Sequence, residues 1–352
     1  VVLAELQRAA TQAGWAYGVD IASRDSATVG GMVATNAGGL RALRHGTMRE
    51  QVAGLELVTA DGSVVRRMAG LQRDNAGYDL CGLLCGSEGT LGVVTEVLVR
   101  LVPLARTRVT ALVGLSSLAD ALTVVGRLRA GDLGLESAEV MFADGMGHLS
   151  ELFGLTSPLG REEAVQLLVE LTSEEADRAG ELTDELARLM AACPEVGGSA
   201  VAADPAGRGR LWALRERHPE VVTRLGRPHK LDVAVPLDAL PRFEAEVRDA
   251  LAGAGARVVV YGHAGEGSLH VNVATDPGDG DGSDDDGWVE ETVFGLVGKL
   301  GGSVSAEHGI GTDKVPWLGC TRSPDELAVL RSIKSALDPR SLLNPGVLVP
   351  ND

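Results

Sequence analysis

The sequence predicts an α+β fold that is divided between two domains. Its 352 residues exceed the ~250 to 300 at which a single hydrophobic core usually stops growing. Up to about residue 107 the chain is rich in glycine and short β-branched runs, whereas from about residue 108 apolar runs alternate with amphipathic helical patterns. The second pattern is typical of a sheet that helices cover on one face.

The first part of the chain is expected to begin with a helix and to continue with a β-hairpin. The helical pattern starts at Val1 and ends near Gly14, so we expect an upstream segment to be missing. The hairpin follows from the Asp61-Gly62 dipeptide between two β-branched runs. The expected strands cover residues 55–60, 63–66 and 92–101. Pro103 then marks a plausible domain boundary.

The second part of the chain is expected to hold most of the sheet. The predicted strands cover residues 109–115, 164–171, 231–235, 257–261 and 269–273, and the predicted helices cover 118–128, 176–190, 240–251 and 327–337. The segment from Asp276 to Gly287 contains no apolar residue, which favours a solvated loop over the alternative of a weak Ca²⁺ site.

Charge and composition exclude several classes of protein. The formal net charge of -17 would repel phosphate backbones, which argues against nucleic acid as a partner. No apolar run reaches the ~18 residues that a membrane span needs. Four irregularly spaced cysteines and no secretory leader favour the cytoplasm, and Cys81 and Cys85 are interpreted as small buried side chains rather than a redox or metal pair. Because the chain is strongly acidic as a whole, an anionic substrate would need a local cationic pocket.

Two glycine-rich segments could bring bare backbone close to a ligand. They are ATVGGMVATNAGG (Ala27 to Gly39) and GSEGTLG (Gly86 to Gly92). Residues without bulky side chains allow close approach to a phosphate or a flat ring. Each segment alone could equally be a tight turn packed against a neighbour.

A pair of histidines lies in the segment YGHAGEGSLHVNV. A strand is expected to end at His263 and a second strand to carry His270 and Asn272, so a hairpin would bring both imidazoles to one end. The two-residue period of a strand puts Asn272 on the same face as His270. The alternative is two satisfied polar residues at a strand end.

A carboxylate and a further imidazole follow in SAEHGIG, as Glu307 and His308. Two histidines and a glutamate are a suitable donor set for Zn²⁺ with an open position, and Fe²⁺ or Mn²⁺ could use it too. The spacing alone does not force Glu307 near the histidines. Arg215 and Lys230 could bind a carboxylate, or they could be solvated surface charges.

The order of these motifs resembles a known family of flavoproteins. The two glycine-rich segments, spaced by AGYDL (Ala76 to Leu80), are similar to the FAD domain of the vanillyl-alcohol-oxidase-like flavoproteins. With WALRER, KLDVAVP, GHAGEGSLH, SAEHGIG and the IKSALDP to LLNPG tail, the chain closely resembles the D-2-hydroxyglutarate dehydrogenase branch, which is related to glycolate oxidase and D-lactate dehydrogenase subunits.

The resemblance implies three parts to the chain. Residues 1–107 would be the second half of an FAD-binding domain of the PCMH type, whose front half, with a glycine-rich pyrophosphate loop, is missing. Residues 108–310 would form an antiparallel-sheet substrate and metal domain, and residues 311–352 a helical segment that returns to the FAD domain.

The resemblance also implies a role for each candidate residue. His263, His270 and Glu307 would hold the metal, which is expected to be Zn with Mn or Fe as alternatives. Arg215, Lys230 and Asn272 would bind substrate, and His308 would be the catalytic base, a common role for histidine near neutral pH. The implied FAD contacts are Thr35, Asn36, Gly38, Gly39, Ser87, Gly89, Thr90, Gly92 and Asn344.

Three positions depart from the pattern of the branch. Pro219 stands where the branch carries a threonine that helps to contact substrate, and a proline inside a helix costs ~3 kcal/mol or bends it. Glu266 and Ser268 replace an aspartate and an asparagine, which keeps an acid and a polar side chain.

The activity implied is FAD-dependent oxidation of a D-2-hydroxy acid, foremost D-2-hydroxyglutarate, to the 2-oxo acid. A metal would assist deprotonation of the hydroxyl group, and hydride would pass to the flavin. The alternatives are a glycolate or D-lactate dehydrogenase, or a metal-binding accessory subunit without its own flavin. The electron acceptor is not identified by the sequence, and a homodimer is the working expectation for the assembly.

Overall fold

The computed structural model describes residues 1–159, 163–225, 228–252, 256–274 and 287–350. Two compact units make up the chain: unit 1 comprises Val1–Leu104 and Glu307–Asp352, and unit 2 comprises Ala105–Ala306. Most of the acidic segment, Asp276 to Asp286, lies outside the described residues. None of the helices in the described ranges combines the length and the hydropathy that a membrane crossing requires.

The helices and strands are numbered in chain order. The helices are α1 (Leu3–Gln12), α2 (Val29–Thr35), α3 (Ala42–His45), α4 (Met48–Gln51), α5 (Leu80–Leu84), α6 (Leu118–Ala130), α7 (Ala143–Phe153), α8 (Ala179–Ala191), α9 (Pro205–Glu216), α10 (His218–Arg224), α11 (Leu240–Ala252), α12 (Gly287–Lys299) and α13 (Pro324–Leu337). The strands are β1 (Trp15–Ala16), β2 (Val52–Val58), β3 (Val64–Arg67), β4 (Val93–Val99), β5 (Val102–Pro103), β6 (Thr107–Leu115), β7 (Leu135–Phe142), β8 (Val165–Ser173), β9 (Val196–Ala202), β10 (His229–Ala234), β11 (Arg257–His263) and β12 (Ser268–Ala274).

Unit 1 contains the predicted hairpin at its expected position. Strands β2 and β3 pair antiparallel with Val58 opposite Val64, and β4 pairs with the other edge of β2. Gly62 has a φ of +88° in the turn, a conformation that glycine adopts without strain. Cys81 and Cys85 are free thiols, and burial raises the pKa of Cys85 to about 11, so that its thiol is protonated near neutral pH.

Helix α13 closes unit 1 as the C-terminal pattern predicted. The hydroxyl of Ser323 accepts a hydrogen bond from the Glu326 amide at the start of the helix, an arrangement that satisfies one of the free N–H groups there. Ile333 and Leu337 pack against the core of unit 1. The helix ends before Asp338, whose carboxylate accepts hydrogen bonds from Lys334 and from the backbone that follows.

Unit 2 is built on a seven-stranded antiparallel sheet in the order β10-β12-β11-β7-β8-β6-β9. The predicted mixed fold with antiparallel strands is confirmed, and each predicted strand of this unit is present with shifts of a few residues at its ends. The patterns did not reveal β7 and β9, although β7 lies at the centre of the sheet. A central strand buried on both faces shows little alternation between polar and apolar residues, which is why its period is weak.

Helices cover both faces of this sheet, so the prediction that one face is covered was wrong. Leu112, Met141 and Leu168 pack with residues of α7, α9 and α10 on one face. The alternate residues of the same strands, such as Val113 and Val140, are also fully buried, and α6 and α8 contact these strands. Leaving a seven-stranded apolar sheet half covered would expose too much surface to water.

Pro219 lies in the first turn of a helix rather than in its interior, so the expected cost of an interior proline does not apply. Helix α9 ends at Glu216, and α10 begins at His218 with Pro219 in its first turn. The first turn tolerates proline because its N–H groups have no partner within the helix. Arg217 therefore separates two short helices.

Candidate active site

Four neighbouring strands of unit 2 place the polar candidate residues on one face of the sheet. In the register of β10, β12 and β11, Asp232 lies opposite His270, and His270 lies opposite Tyr261. Residues that lie directly opposite in antiparallel strands point to the same face. Asp232, His270 and Tyr261 therefore form one row across what we call the site face.

A second row lies beside the first. Ser268 of β12 is opposite His263 of β11, and His263 is opposite Glu139 of β7. The predicted hairpin of β11 and β12 is thus present, and its two-residue period puts His263 and His270 on the same face. The two imidazole rings are 5.5 Å apart between centroids, and a ring nitrogen of each lies within 4.8 Å of one of the other.

Glu139 joins the histidine pair to a substrate-binding candidate. Its Oε1 is 2.7 Å from His263 Nδ1, and its Oε2 accepts a hydrogen bond of 2.7 Å from Arg215 Nε. Burial raises the pKa of the Glu139 carboxyl, but the charges and hydrogen bonds of His263 and Arg215 outweigh it and lower the pKa below its usual value. The carboxylate is therefore ionised and acts as an acceptor on both oxygens.

Arg215 is held in place by its hydrogen bond to Glu139 and by its contact with the ring of Tyr261. It lies in the last turn of α9 and is only 6% exposed. Its guanidinium carbon lies 4.6 Å from the centre of the Tyr261 ring, a stacked arrangement that attracts a cation to the ring face. Arg215 is thus not the solvated surface charge that composition alone allowed.

Lys230 and Asn272 face each other at the edge of the sheet. They are paired in the register of β10 and β12. Lys230 is exposed, whereas Asn272 is buried and donates its amide to the carbonyls of Val259 and His270 at 3.2 and 3.3 Å. An exposed ammonium beside a fixed amide is suited to an anionic group that arrives from solvent.

Asp232 connects the site face to the end of unit 2. Its Oδ2 accepts hydrogen bonds from the Ala306 amide and the Ser305 hydroxyl at 3.1 and 3.3 Å, and its Oδ1 lies 3.9 Å from His270 Nδ1. Asp232 is 1% exposed. A buried carboxylate near an imidazole favours the orientation in which the ring turns its other nitrogen towards a ligand.

His218 packs beneath this cluster as a neutral imidazole. It is fully buried, its Nδ1 is 2.8 Å from the Leu214 carbonyl, and its ring centroid lies 5.1 Å from that of Tyr261. Burial, and then the charge of Arg215, lower the pKa of His218 to about 4. The His218 ring thus packs against the ring of Tyr261.

The two glycine-rich segments lie side by side in unit 1. The Gly86 amide donates to the Val33 carbonyl at 2.9 Å, and the Glu88 amide donates to the Ala34 carbonyl at 2.7 Å. Asn36 ends α2 in a left-handed conformation with a φ of 52°. The pairing gives the predicted FAD contacts of both segments one common surface.

Two of the predicted flavin glycines are required by packing as well. A Cβ at Gly39, where φ is +81°, would lie 2.2 Å from the Asp20 carbonyl oxygen. A Cβ at Gly92 would lie 2.1 Å from Leu57 Cδ1. Both values are far below van der Waals contact, so these positions need glycine whether or not a cofactor is bound. Gly38, like these two, is buried.

The other predicted flavin contacts differ in exposure. Thr35 is exposed at the end of α2, whereas Ser87 and Thr90 are buried and hydrogen-bonded within their own turn. Asn344 donates its amide to the Glu88 carbonyl at 2.6 Å, next to Gly89. The exposed and half-buried positions can contact a cofactor with side chains, and the buried ones shape the loop.

Glu88 anchors the C-terminal segment to this loop, a role that the sequence did not reveal. Its two carboxylate oxygens accept 2.7 Å hydrogen bonds from the amides of Ile310 and Gly311. Lys334 donates to the Thr90 carbonyl at 2.8 Å. Glu307 and His308 precede this anchor and belong to unit 1, where Glu307 Oε1 accepts a 2.9 Å hydrogen bond from the Gly39 amide.

The side chains that sequence reasoning missed are mainly buried acids. Glu139, Asp232 and Glu88 each accept a hydrogen bond from a group far along the chain. The alternation of KLDVAVP could have placed Asp232 on the face of Lys230, since they are two residues apart. Glu139 lies in a strand that the patterns did not detect.

Comparison with known proteins finds matches to two domain families in the chain. Residues 104–348 match the family "FAD linked oxidases, C-terminal domain". Residues 1–67 match "FAD binding domain". The first match alone covers more than half of the chain.

The chain belongs to the FAD-linked oxidase family.

Relatives within the FAD-linked oxidase family carry two kinds of name. The chain is 36% identical to the mitochondrial D-2-hydroxyglutarate dehydrogenase of Bos taurus, over 99% of this chain and 64% of that protein. It is 37% identical to the D-2-hydroxyglutarate dehydrogenase of Xanthomonas citri pv. viticola, over 98% of this chain and 73% of that protein. It is 30% identical to the glycolate oxidase subunit GlcD of Bacillus subtilis, over 100% of this chain and 74% of that protein.

A solved structure shows the same fold at low sequence identity. An alkyldihydroxyacetonephosphate synthase superposes with a TM-score of 0.70 and 16% identity, over 98% of this chain and 62% of that one. The chain spans 64% of the length of the D-2-hydroxyglutarate dehydrogenase of Bos taurus. Family membership and fold are established on these grounds.

Proposed function

We propose that this chain carries the substrate site and part of the flavin site of an FAD-dependent D-2-hydroxy acid dehydrogenase, with D-2-hydroxyglutarate as substrate. The observation that carries the proposal is the site face, where two imidazoles lie beside a buried arginine. Relatives named D-2-hydroxyglutarate dehydrogenase, at 36 and 37% identity, support the choice of substrate.

The donor set fits a divalent cation. Because Nδ1 of His263 is bonded to Glu139, a metal would be bound through Nε2 of the same ring. Ser268 lies opposite His263, and its buried hydroxyl has no hydrogen-bond partner within the described ranges. We propose Glu307 as the third ligand, since it directly follows Ala306, whose amide is bonded to Asp232. Two imidazoles and one carboxylate favour Zn²⁺, with Mn²⁺ or Fe²⁺ as alternatives.

Charge balance on the site face supports the same conclusion. The positive charges of Arg215 and Lys230 are offset by the negative charges of Glu139 and Asp232. All four side chains lie on the site face or against it. A dicarboxylate would then meet no net positive charge, in a protein whose formal net charge is -17. A divalent cation restores a net attraction for an anionic substrate.

The glycine-rich surface of unit 1 fits a flat cofactor. Gly89 has a positive φ and is only half-buried, so its backbone can approach a ligand, and Thr35 and Asn36 offer polar side chains. FAD, when bound, supplies the acceptor for the electrons of the substrate C–H bond, and the divalent cation polarises the hydroxyl oxygen.

The chain's own residues would bind and orient the substrate. Arg215 and Lys230 would hold carboxylate groups through charge-assisted hydrogen bonds, and Asn272 would fix the position of one end. We propose that His308 removes the hydroxyl proton as a general base. His308→Ala should then lower the rate of flavin reduction by about 10²- to 10⁴-fold and leave substrate affinity nearly unchanged.

Anaerobic flavin reduction tests the activity directly. The chain is supplied with FAD and Zn²⁺, and the flavin absorbance is followed after addition of D-2-hydroxyglutarate. Bleaching that EDTA prevents supports the proposal. A protein that stays colourless after reconstitution contradicts it and favours a metal-binding accessory subunit.

A monocarboxylate substrate is the second candidate. Pro219 lacks the hydroxyl of the threonine expected at this position, and a relative at 30% identity is named a glycolate oxidase subunit. A higher kcat/KM for glycolate or D-lactate than for D-2-hydroxyglutarate would select this candidate. The cytoplasmic location and the homodimer stay predictions of the sequence, which does not identify the electron acceptor.

A further inference from the structure

Glu139 is a side chain of the site face that bonds to a histidine and to an arginine at once. It lies in the central strand β7 and is 1% exposed. Its two oxygens are each 2.7 Å from one nitrogen, His263 Nδ1 on one side and Arg215 Nε on the other. A buried charge of this kind is costly unless both oxygens are paired.

The contact with His263 decides which ring nitrogen carries the proton. An ionised carboxylate accepts hydrogen bonds and cannot donate them. His263 must therefore carry a proton on Nδ1, so that the neutral ring has its lone pair on Nε2. A histidine with the proton on the other nitrogen would have no lone pair directed away from Glu139.

The contact with Arg215 decides how the guanidinium is presented. Because Nε is bonded to Glu139 and the ring of Tyr261 lies 4.6 Å from the guanidinium carbon, the plane of the group is held from its edge and its face. The two terminal nitrogens can then bind a carboxylate through two parallel hydrogen bonds.

We propose that Glu139 is a positioning residue that sets the tautomer of His263 for metal binding and the orientation of Arg215 for the substrate carboxylate. The inference rests on the proposed function, because it concerns the atoms of His263 and Arg215 that would bind the metal and the substrate. A glutamine cannot replace Glu139, since its amide has one accepting oxygen and one donating nitrogen. Either Arg215 loses its acceptor, or His263 must move its proton to Nε2.

Zn²⁺ titration of the full chain without substrate tests the inference. Glu139→Gln should weaken Zn²⁺ binding by roughly 10- to 100-fold, the cost of removing a group that orients a metal ligand. Glu136→Gln is the matched control, because Glu136 lies in the same strand, is also buried, and pairs with Arg108 at 2.5 Å. The control should leave Zn²⁺ affinity within about twofold while losing a comparable buried pair.

The outcomes separate this inference from the proposed function. If the wild-type chain binds no Zn²⁺, the metal part of the proposed function fails and the inference fails with it. If the wild-type chain binds Zn²⁺ and Glu139→Gln keeps the wild-type affinity, only the role of Glu139 is overturned. The same holds if Glu139→Gln and Glu136→Gln weaken Zn²⁺ binding equally.

A measurement on the wild-type chain covers the case in which Glu139→Gln does not fold. The ¹⁵N chemical shifts of the seven histidines in the metal-free protein report which nitrogen of each ring is protonated. His263→Gln identifies the signal of His263 by its loss. A proton on Nδ1 agrees with the proposal, and a proton on Nε2 overturns it.

Discussion

In unit 2 the site face consists of charged and aromatic side chains, whereas in unit 1 the paired glycine-rich segments consist of residues with little or no side chain. On the site face, Glu139, His263 and Arg215 are held by hydrogen bonds between side chains. In the glycine-rich segments the contacts are between backbone groups, as from Glu88 to Ala34.

The difference predicts which kind of substitution disrupts each region. A side-chain network fails when one donor or acceptor is exchanged, even if the volume stays the same, because a buried polar group is left without a partner. A backbone surface fails when volume is added, since a Cβ must displace a neighbouring main chain. Substitutions that are harmless in one region should therefore be severe in the other.

The largest effect is expected from His270→Ala on the site face. It removes one of two imidazoles whose ring nitrogens lie within 4.8 Å. We expect substrate-dependent flavin reduction to fall by roughly 10²- to 10³-fold, as when one group that stabilises a developing charge is removed. Stopped-flow absorbance measures this rate. His148→Ala, a partly exposed histidine of α7, is the control and should keep full activity.

The next effect is expected from Gly39→Ala in unit 1. We expect the free energy of unfolding to fall by about 2 to 5 kcal/mol, because the left-handed backbone and the clash with Asp20 both act against the methyl group. Gly62→Ala has a similar φ of +88° but no atom within 4 Å of the added Cβ, so it should cost only about 1 to 2 kcal/mol. Equal losses in urea denaturation would contradict the role of the clash.

Acid should destabilise unit 2 through His218. The pKa of its buried imidazole is about 4 in the folded chain against an ordinary value of 6.5, so below pH 6.5 the unfolded chain takes up a proton that the folded chain refuses. Stability from this group is complete above pH 6.5 and declines to pH 4, by about 3 kcal/mol at ~1.4 kcal/mol for each pH unit. His218→Gln, which does not titrate, should show a flatter decline in urea denaturation at pH 7, 5.5 and 4.

The smallest effect is expected from an exposed ion pair of unit 1. Arg66 bonds to Glu56 and Glu96 across the three-stranded sheet, and its side chain is 51% exposed. Arg66→Ala should lower the free energy of unfolding by less than about 1 kcal/mol, because water screens exposed charges. A loss of about 3 kcal/mol or more, which is typical of breaking a buried pair, would contradict the contrast between buried and exposed pairs.

Local sequence patterns were enough to predict eight of the twelve described strands and five of the thirteen described helices. The Asp61-Gly62 turn predicted its hairpin, and Ser323, Glu326 and Asp338 lie at the ends of a helix that its apolar spacing predicted. Such features depend on residues within a few positions of each other. Pro219 shows the limit, because its neighbours allowed a helix interior and the end of α9 at Glu216 was not visible in them.

The sequence by itself determined which side chains could act, and the tertiary structure decided which of them meet. The two-residue period already placed His270 and Asn272 on one face, because that relation is local. The contact between Glu139 and His263 joins residues 124 positions apart, and it exists only because β11 pairs with β7. Strand order in an antiparallel sheet is set by the burial of both faces together, which no segment of the chain encodes alone.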